Sequence, residues 1–341
     1  MKYQTLCYWL ILIGSLFLLS ACTPSNTGAA ERLPVITSLH ELDSAILMTW
    51  QVWPADERGS YFAQYAFDPD KDPTKVYQWS INIQSDGKCR TKWFDWSPAH
   101  ETVRFYCGRG IYLQPVIAKP GELLPAPEIP EAEEGWIAPS RNGSPDGEYL
   151  LYETEDGLMV IGTLTRQSAE IPLPANTDHI TAKWSPDGDS FVSMIHDPAS
   201  DQYAVYRVYR DTWRTEPLAG IQLTSRSREL SWSNDGASLL YGQADAKGAG
   251  LWIYDFASKT ADLIFSFRNE ESDIGVHAWS PDDQRIAFVS SFETACSPNE
   301  EGIVSCERQL FIIDRDGQNL REIPEMGEQD DIAWVGQRNE E

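Results

Sequence analysis

A β-propeller, an all-β ring of repeated four-stranded sheets, is the fold class this sequence predicts, and three observations predict it. The first is a recurrence. Trp184-Ser185-Pro186-Asp187-Gly188 returns as Trp232-Ser233-Asn234-Asp235-Gly236 and as Trp279-Ser280-Pro281-Asp282-Asp283. Trp96-Ser97-Pro98-Ala99-His100 is a shortened copy, and Gly143-Ser144-Pro145-Asp146-Gly147 lacks only the Trp. The second is the spacing: successive copies stand 47, 41, 48 and 47 residues apart, and a fixed period in this range is the signature of a repeat architecture. The third is an alternation after each copy. Val103, Leu150, Phe191, Leu239 and Ile286 lie three residues past the Gly position, and Phe105, Tyr152, Ser193, Tyr241 and Phe288 lie five past it. That is the period of a strand, expected here to have one buried face, with Ser193 as the single lapse.

Ser-Pro-Asp-Gly is turn chemistry: Pro presets φ, Asp bonds the backbone ahead of it, and Gly accepts positive φ. The Trp before it ends a first strand and the alternating run after it is a second, so each motif is a hairpin. Third strands are expected at 158–164, 203–209, 251–256 and 309–314, and short fourth strands at 170–173, 262–267 and 320–323. Four antiparallel strands per 40–50 residues make a propeller blade, and a ring of blades leaves no long open edges. The region before Trp96 has no such turn, yet strands are expected at 45–53, 61–67 and 76–83. Trp50 lies 46 residues before Trp96, so it is either the first-strand Trp of blade one or part of a second strand whose partner comes from elsewhere. Ile332-Ala333-Trp334 reads as a first strand with no room for a blade after it. Ring closure by the N- and C-terminal strands is therefore expected. Counting outer strands gives six blades, with seven as the runner-up.

The repeated W-S-P-D-G with its apolar-x-aromatic strand resembles the TolB-type, WD-repeat-like propeller. The likeness covers five motif copies over about 200 residues. It speaks for fold more than for function, because such propellers include binding scaffolds and non-catalytic domains of peptidases.

The N-terminus is a separate object. Lys2 precedes an apolar run over residues 6–19, and Leu19-Ser20-Ala21-Cys22 comes next, a signal-peptide pattern too short and too broken by Gly14 and Ser15 for a membrane span. Leu-Ser-Ala-Cys resembles the bacterial lipobox, which implies that residues 1–21 are removed and that Cys22 is lipidated. Thr23 stands after Cys22, and in a two-membrane envelope the resemblance favours the outer membrane. Residues 22–43 are expected to be a flexible lipidated tether, and 44–336 the propeller.

The formal net charge is −25. Loss of Lys2 leaves a mature chain of about 320 residues at about −26. Such a surface repels nucleic acid and anionic lipid, so membrane attachment falls to the acyl chains. Export permits disulfides. Beyond Cys7 and Cys22 there remain Cys89, Cys107, Cys296 and Cys306. Cys296–Cys306 would close an insertion in the last blade, and Cys89–Cys107 would bracket the Trp96 hairpin. The alternatives are free thiols or a metal site, but there is no C-x-x-C and no nearby His for zinc.

Catalytic signatures are absent: no G-x-S-x-G, no H-E-x-x-H and no phosphate loop. Asp68-Pro69-Asp70-Lys71-Asp72 resembles the start of a calcium loop but has Pro73 and Trp79 where Gly and Glu are required. It reads as a solvated hairpin tip. No cofactor is expected, although a divalent cation in the central channel is compatible with the acidic composition. The candidate channel residues are His277, Glu229, Lys183 and Asp95, with inter-blade packing as the competing role for His277. These features together suggest a monomeric, lipid-anchored envelope scaffold that binds a protein or other ligand through loops such as 68–75, 119–134 and 294–307. The alternative is a lactonase- or lyase-like propeller enzyme with its site in the channel.

Overall fold

Each described copy of the motif opens onto a second strand, and the sheets succeed one another along the chain in the order of the copies. The computed structural model describes residues 35–36, 44–52, 61–71, 77–79, 83–84, 94–97, 102–109, 112–118, 124–125, 143–154, 157–162, 164–165, 167–174, 177–221, 223, 229–245, 248–267, 274–290, 296–298, 304–306, 308–323 and 331–336. All belong to the compact unit Leu33–Glu341.

The first sheet contains β1 (Val35–Ile36), β2 (Ser44–Val52), β3 (Tyr61–Phe67) and β4 (Tyr77–Trp79). β2, β3 and β4 are antiparallel, and β1 lies parallel on the outer side of β4. The strand β1 falls inside the stretch expected as tether. The strand expected over 76–83 is divided, because β5 (Ile83–Gln84) leaves the sheet. The second sheet is β6 (Phe94–Ser97), β7 (Thr102–Arg109) and β8 (Tyr112–Ala118), and β9 (Leu124–Pro125) pairs in parallel with β5. The third is β10 (Tyr149–Thr154), β11 (Gly157–Gly162) and β12 (Ser168–Glu170), with Gly143 bridged to Leu150 where a first strand would run. β11 ends before Leu164, which is 92% exposed.

Four antiparallel strands build each of the next sheets. The fourth has β13 (Asp178–Trp184), β14 (Ser190–Asp197), β15 (Gln202–Tyr209) and β16 (Thr215–Pro217). The fifth has β17 (Leu230–Trp232), β18 (Ser238–Asp245), β19 (Gly248–Asp255) and β20 (Thr260–Phe267). The sixth begins with β21 (Ile274–Trp279) and β22 (Arg285–Ser290). A separate hairpin, β23 (Cys296–Pro298) with β24 (Val304–Cys306), interrupts it before β25 (Gln309–Asp314) and β26 (Arg321–Ile323) complete it.

The last strand, β27 (Asp331–Gly336), returns to the first sheet and pairs antiparallel with β2, from Ser44↔Gly336 to Thr49↔Asp331. This decides between the two readings of Trp50. β2 is a second strand, and the first-strand partner it lacks in sequence comes from the far end of the chain. β27 also lies against β21 of the sixth sheet and β6 of the second.

Burial corrects one expectation. The second strands have two buried faces, not one: Ser190 through Ile195 of β14 are all buried. Phe191 packs with Leu151, Leu158 and Val160 of the third sheet. Val192 and Met194 pack on the opposite side with Leu230, Leu239 and Tyr241 of the fifth. A sheet set between two neighbours hides both its faces, so polarity alternation no longer marks burial. Ser193 is therefore a lapse in polarity only, since it is fully buried. The same packing joins the sixth sheet to the first, where Ile46, Phe67 and Trp334 meet Ala287, Val289 and Leu310.

Candidate functional site

The recurring residues gather at one kind of place, the turn between first and second strands. Ser185 is buried, and its hydroxyl donates to Asp187 Oδ1 at 2.5 Å while accepting the Ser190 amide at 3.1 Å. The same Asp187 oxygen accepts the Asp189 amide at 3.0 Å. Gly188 closes the turn by donating its amide to the Ser185 carbonyl at 2.9 Å. Ser144 with Asp146, Ser233 with Asp235 and Ser280 with Asp282 repeat the arrangement, each with a hydroxyl–carboxylate distance of 2.6 Å. The copy without Trp thus keeps its turn, because the turn is made by Ser and Asp.

The Trp has a different task. Trp232 Nε1 donates to the Lys183 carbonyl of the preceding sheet at 3.0 Å, and Trp279 Nε1 donates to the Ser231 carbonyl at 3.2 Å. Each indole therefore fastens one first strand to the one before it. Trp334, on β27, instead donates to Ser44 Oγ of β2 at 2.7 Å.

Neighbouring turns also touch. A Cβ on Gly188, at φ 74°, would stand 3.4 Å from Pro145 Cδ of the preceding turn. Between the fifth and sixth sheets both motif positions depart together: Asn234 replaces the Pro and Asp283 replaces the Gly, at φ 58°. The two substituted residues bond to each other. Asp283 Oδ1 accepts the Asn234 amide at 2.7 Å and Asn234 Nδ2 at 2.8 Å, and Oδ2 accepts the Asp235 amide at 3.0 Å. Asn234 Nδ2 also reaches the Ser280 carbonyl at 2.8 Å. Burial pushes the Asp283 carboxyl above the usual aspartate range, against the pull of the Asn234 and Asp235 donors.

Arginines complete the joints between sheets. Arg210, just after β15, donates to Asp146 Oδ2 at 2.5 Å and Glu148 Oε2 at 2.6 Å of the third sheet, and lies over the Tyr149 ring. Burial works to raise the Asp146 carboxyl, but hydrogen bonds from Ser144, the Glu148 amide and Arg210 outweigh it and hold it low. Arg315 donates to Ser238 Oγ at 2.8 Å and sits over Trp279. Between the sixth and first sheets the charges are exchanged, with Arg285 at the turn and Asp70 after β3. The guanidinium binds both carboxylate oxygens of Asp70, whose carboxyl the Arg285 hydrogen bond holds below its ordinary value. The tip expected to be solvated is instead braced at its start: Asp68 is buried and caps the amides of Asp70 and Lys71. Sequence reasoning missed these pairs, although the paired departures at 234 and 283 were visible as a signal.

The candidate channel residues are distributed one to a sheet. Asp95 is on β6, opposite Arg104 in register. Lys183 is on β13, Glu229 immediately precedes β17, and His277 is on β21. His277 is buried and stands two residues before Trp279, on the strand face from which that indole reaches the fifth sheet. Among the described residues no three His, Cys, Asp or Glu side chains gather as a metal site. Cys296 faces Cys306 directly across the β23–β24 pair. Cys107 lies on β7, whereas Cys22 and Cys89 fall outside the described residues.

No family model matches the chain, and no curated protein matches it. Solved structures do. TolB from Acinetobacter baumannii matches with a TM-score of 0.56 and 16% identity, over 85% of this chain and 66% of that one. A chain of the nidogen/laminin complex matches with a TM-score of 0.53 and 10% identity, over 86% of this chain and 99% of that one. The chain thus spans about two thirds of the TolB chain. These likenesses establish the fold, a TolB-like β-propeller of antiparallel sheets.

Proposed function

We propose that this chain is a lipid-anchored, six-bladed propeller that binds a protein partner at the cell envelope, without catalysis. The six-blade count draws support from the six larger sheets found in chain order among the described residues and from β27, which contacts both β21 and β6. Lipidation at Cys22 rests on the lipobox resemblance, and an extracytoplasmic position goes with it. A Cys296–Cys306 bridge is supported by their cross-strand register, since directly opposed residues of an antiparallel pair fall within disulfide reach.

One observation carries the functional reading. Among the described residues, the recurring Ser and Asp of the turn rim already hold a turn or join two sheets, which favours a braced, acidic platform over a reactive centre. Asp187, Asp189, Asp282 and Asp316 are among the carboxylates the turns carry. A partner meeting this rim is expected to be basic, so its binding weakens as salt rises. The test is isolation from native membranes in mild detergent, with binding then measured from about 50 to about 500 mM salt, a range over which the Debye length shortens severalfold. Salt-sensitive binding with no turnover supports the reading. A hydrolytic activity that survives purification and disappears in His277→Ala, with binding intact, would replace it with the channel-enzyme reading.

A further inference from the structure

The first sheet lacks something the other motif sheets possess. In the fourth, fifth and sixth sheets a W-S-x-D turn joins the first strand covalently to the second. In the first sheet those strands are β27 and β2, from opposite ends of the chain, and no turn connects them. Besides the ladder and the Trp334–Ser44 hydrogen bond, a side chain from a third element reaches both sides of this junction. Arg285 of the sixth sheet holds Asp70, on the N-terminal side, through both carboxylate oxygens. Its guanidinium also lies 4.8 Å from the ring centre of Trp334, on the C-terminal strand. Arg321 adds a second cation 3.5 Å from Asp70. Asp70 is itself presented by a fixed loop, because the buried Asp68 carboxylate accepts the Asp70 amide at 2.9 Å and the Lys71 amide at 3.3 Å.

We propose that Arg285 is the latch of the terminal junction, substituting for the missing turn and governing when β2 and β27 part. The reason is connectivity. Elsewhere a hairpin turn keeps two strands together after their hydrogen bonds break, so local opening is succeeded by rapid reclosing. At β2–β27 the reclosing depends on whatever holds both ends to a common neighbour, and Arg285 pairs with Asp70, beyond the β3 end of the β2–β3 hairpin, and covers the Trp334 ring of β27. A bidentate ion pair and a cation–π contact from a single guanidinium are suited to that task, being directional and readily broken and remade.

Hydrogen exchange read by mass spectrometry on the full-length folded protein tests this. Arg285→Met keeps most of the side-chain volume and removes both contacts. Peptides covering 44–52 and 331–336 are expected to exchange at least tenfold faster, with 178–217 unchanged. Arg210→Met, which breaks a comparable ion pair beside a sheet that has its turn, is expected to leave 44–52 and 331–336 unchanged. Asp70→Asn serves as a second variant if Arg285→Met folds poorly, and the same two segments should respond. Unaltered exchange at 44–52 and 331–336 in either folded variant, or an increase spread evenly over all sheets, overturns the latch.

Discussion

Asp283 shows how a repeat tolerates two departures that would each be costly alone. Asp283→Gly restores the motif glycine but takes the acceptor from the Asn234 and Asp235 amides and leaves the Asn234 side chain only the Ser280 carbonyl. Loss of such buried partners costs about 1–3 kcal/mol. Asn234→Pro removes donors from a buried carboxylate and should cost a similar amount. The double substitution recreates the Gly-on-Pro contact of the neighbouring joint, so urea denaturation should recover about 0.5–3 kcal/mol relative to the sum of the singles. Strict additivity would mean that the two residues are not coupled. Protons give a second handle. Burial holds Asp283 above the ordinary 3.8, so its contribution to stability is complete below that value and is lost as pH rises through the raised one. Asp70 and Asp146 are held low, so their contributions are present above 3.8 and vanish as pH falls through their lowered values. Melting temperatures of wild type minus Asp283→Asn should therefore grow as pH falls towards 4, and the same difference for Asp70→Asn should shrink below it.

At the scale of the strand, the indole-to-carbonyl bonds explain why Trp recurs where another large apolar residue would fill the space. Trp232→Phe keeps most of the packing but removes the indole hydrogen bond to the Lys183 carbonyl of the neighbouring sheet. A loss of about 1–3 kcal/mol in chemical denaturation is expected, more than a ring swap alone would give. For the terminal strand, Trp334→Ala should cost about 3–5 kcal/mol, because Trp334 is among the largest fully buried side chains. The proposed Cys296–Cys306 bridge closes a short loop and is expected to stabilise by about 3 kcal/mol at most, with non-reducing peptide mapping as its check. Much of this level was legible. The motif marked the hairpins, and β3 and β25 fall where alternation places them. What alternation could not reveal was the two-sided burial of β14, because a buried Ser193 looks like an exposed one until its neighbours are known. Nor could it choose a partner for β2, since that partner lies at the other end of the chain.

Across the whole molecule, the joints between sheets share one scheme with local substitutions: indole to carbonyl, Gly against Pro, and arginine from one sheet to a carboxylate or hydroxyl of another. Together with the turns, these engage the recurring polar residues among those described, and the proposed partner contact falls to exposed rim carboxylates such as Asp189 and Asp316. The acidic excess was plain from composition. The location of braced and unbraced carboxylates was not, because Arg210 and Asp146 are 64 residues apart and Arg285 and Asp70 are 215 apart. His277 is buried on β21, and the proposed role is binding through the acidic rim.

Zero-length carboxyl-to-amine crosslinking of the partner captured from native membranes tests that claim most directly, since it joins only acidic groups to lysines in contact. Crosslinks are expected to concentrate on rim carboxylates such as Asp189 and Asp316 and to be lost as salt is raised. Crosslinks confined to the opposite hairpins, around Asp201 or Asp245, and indifferent to salt, would contradict it.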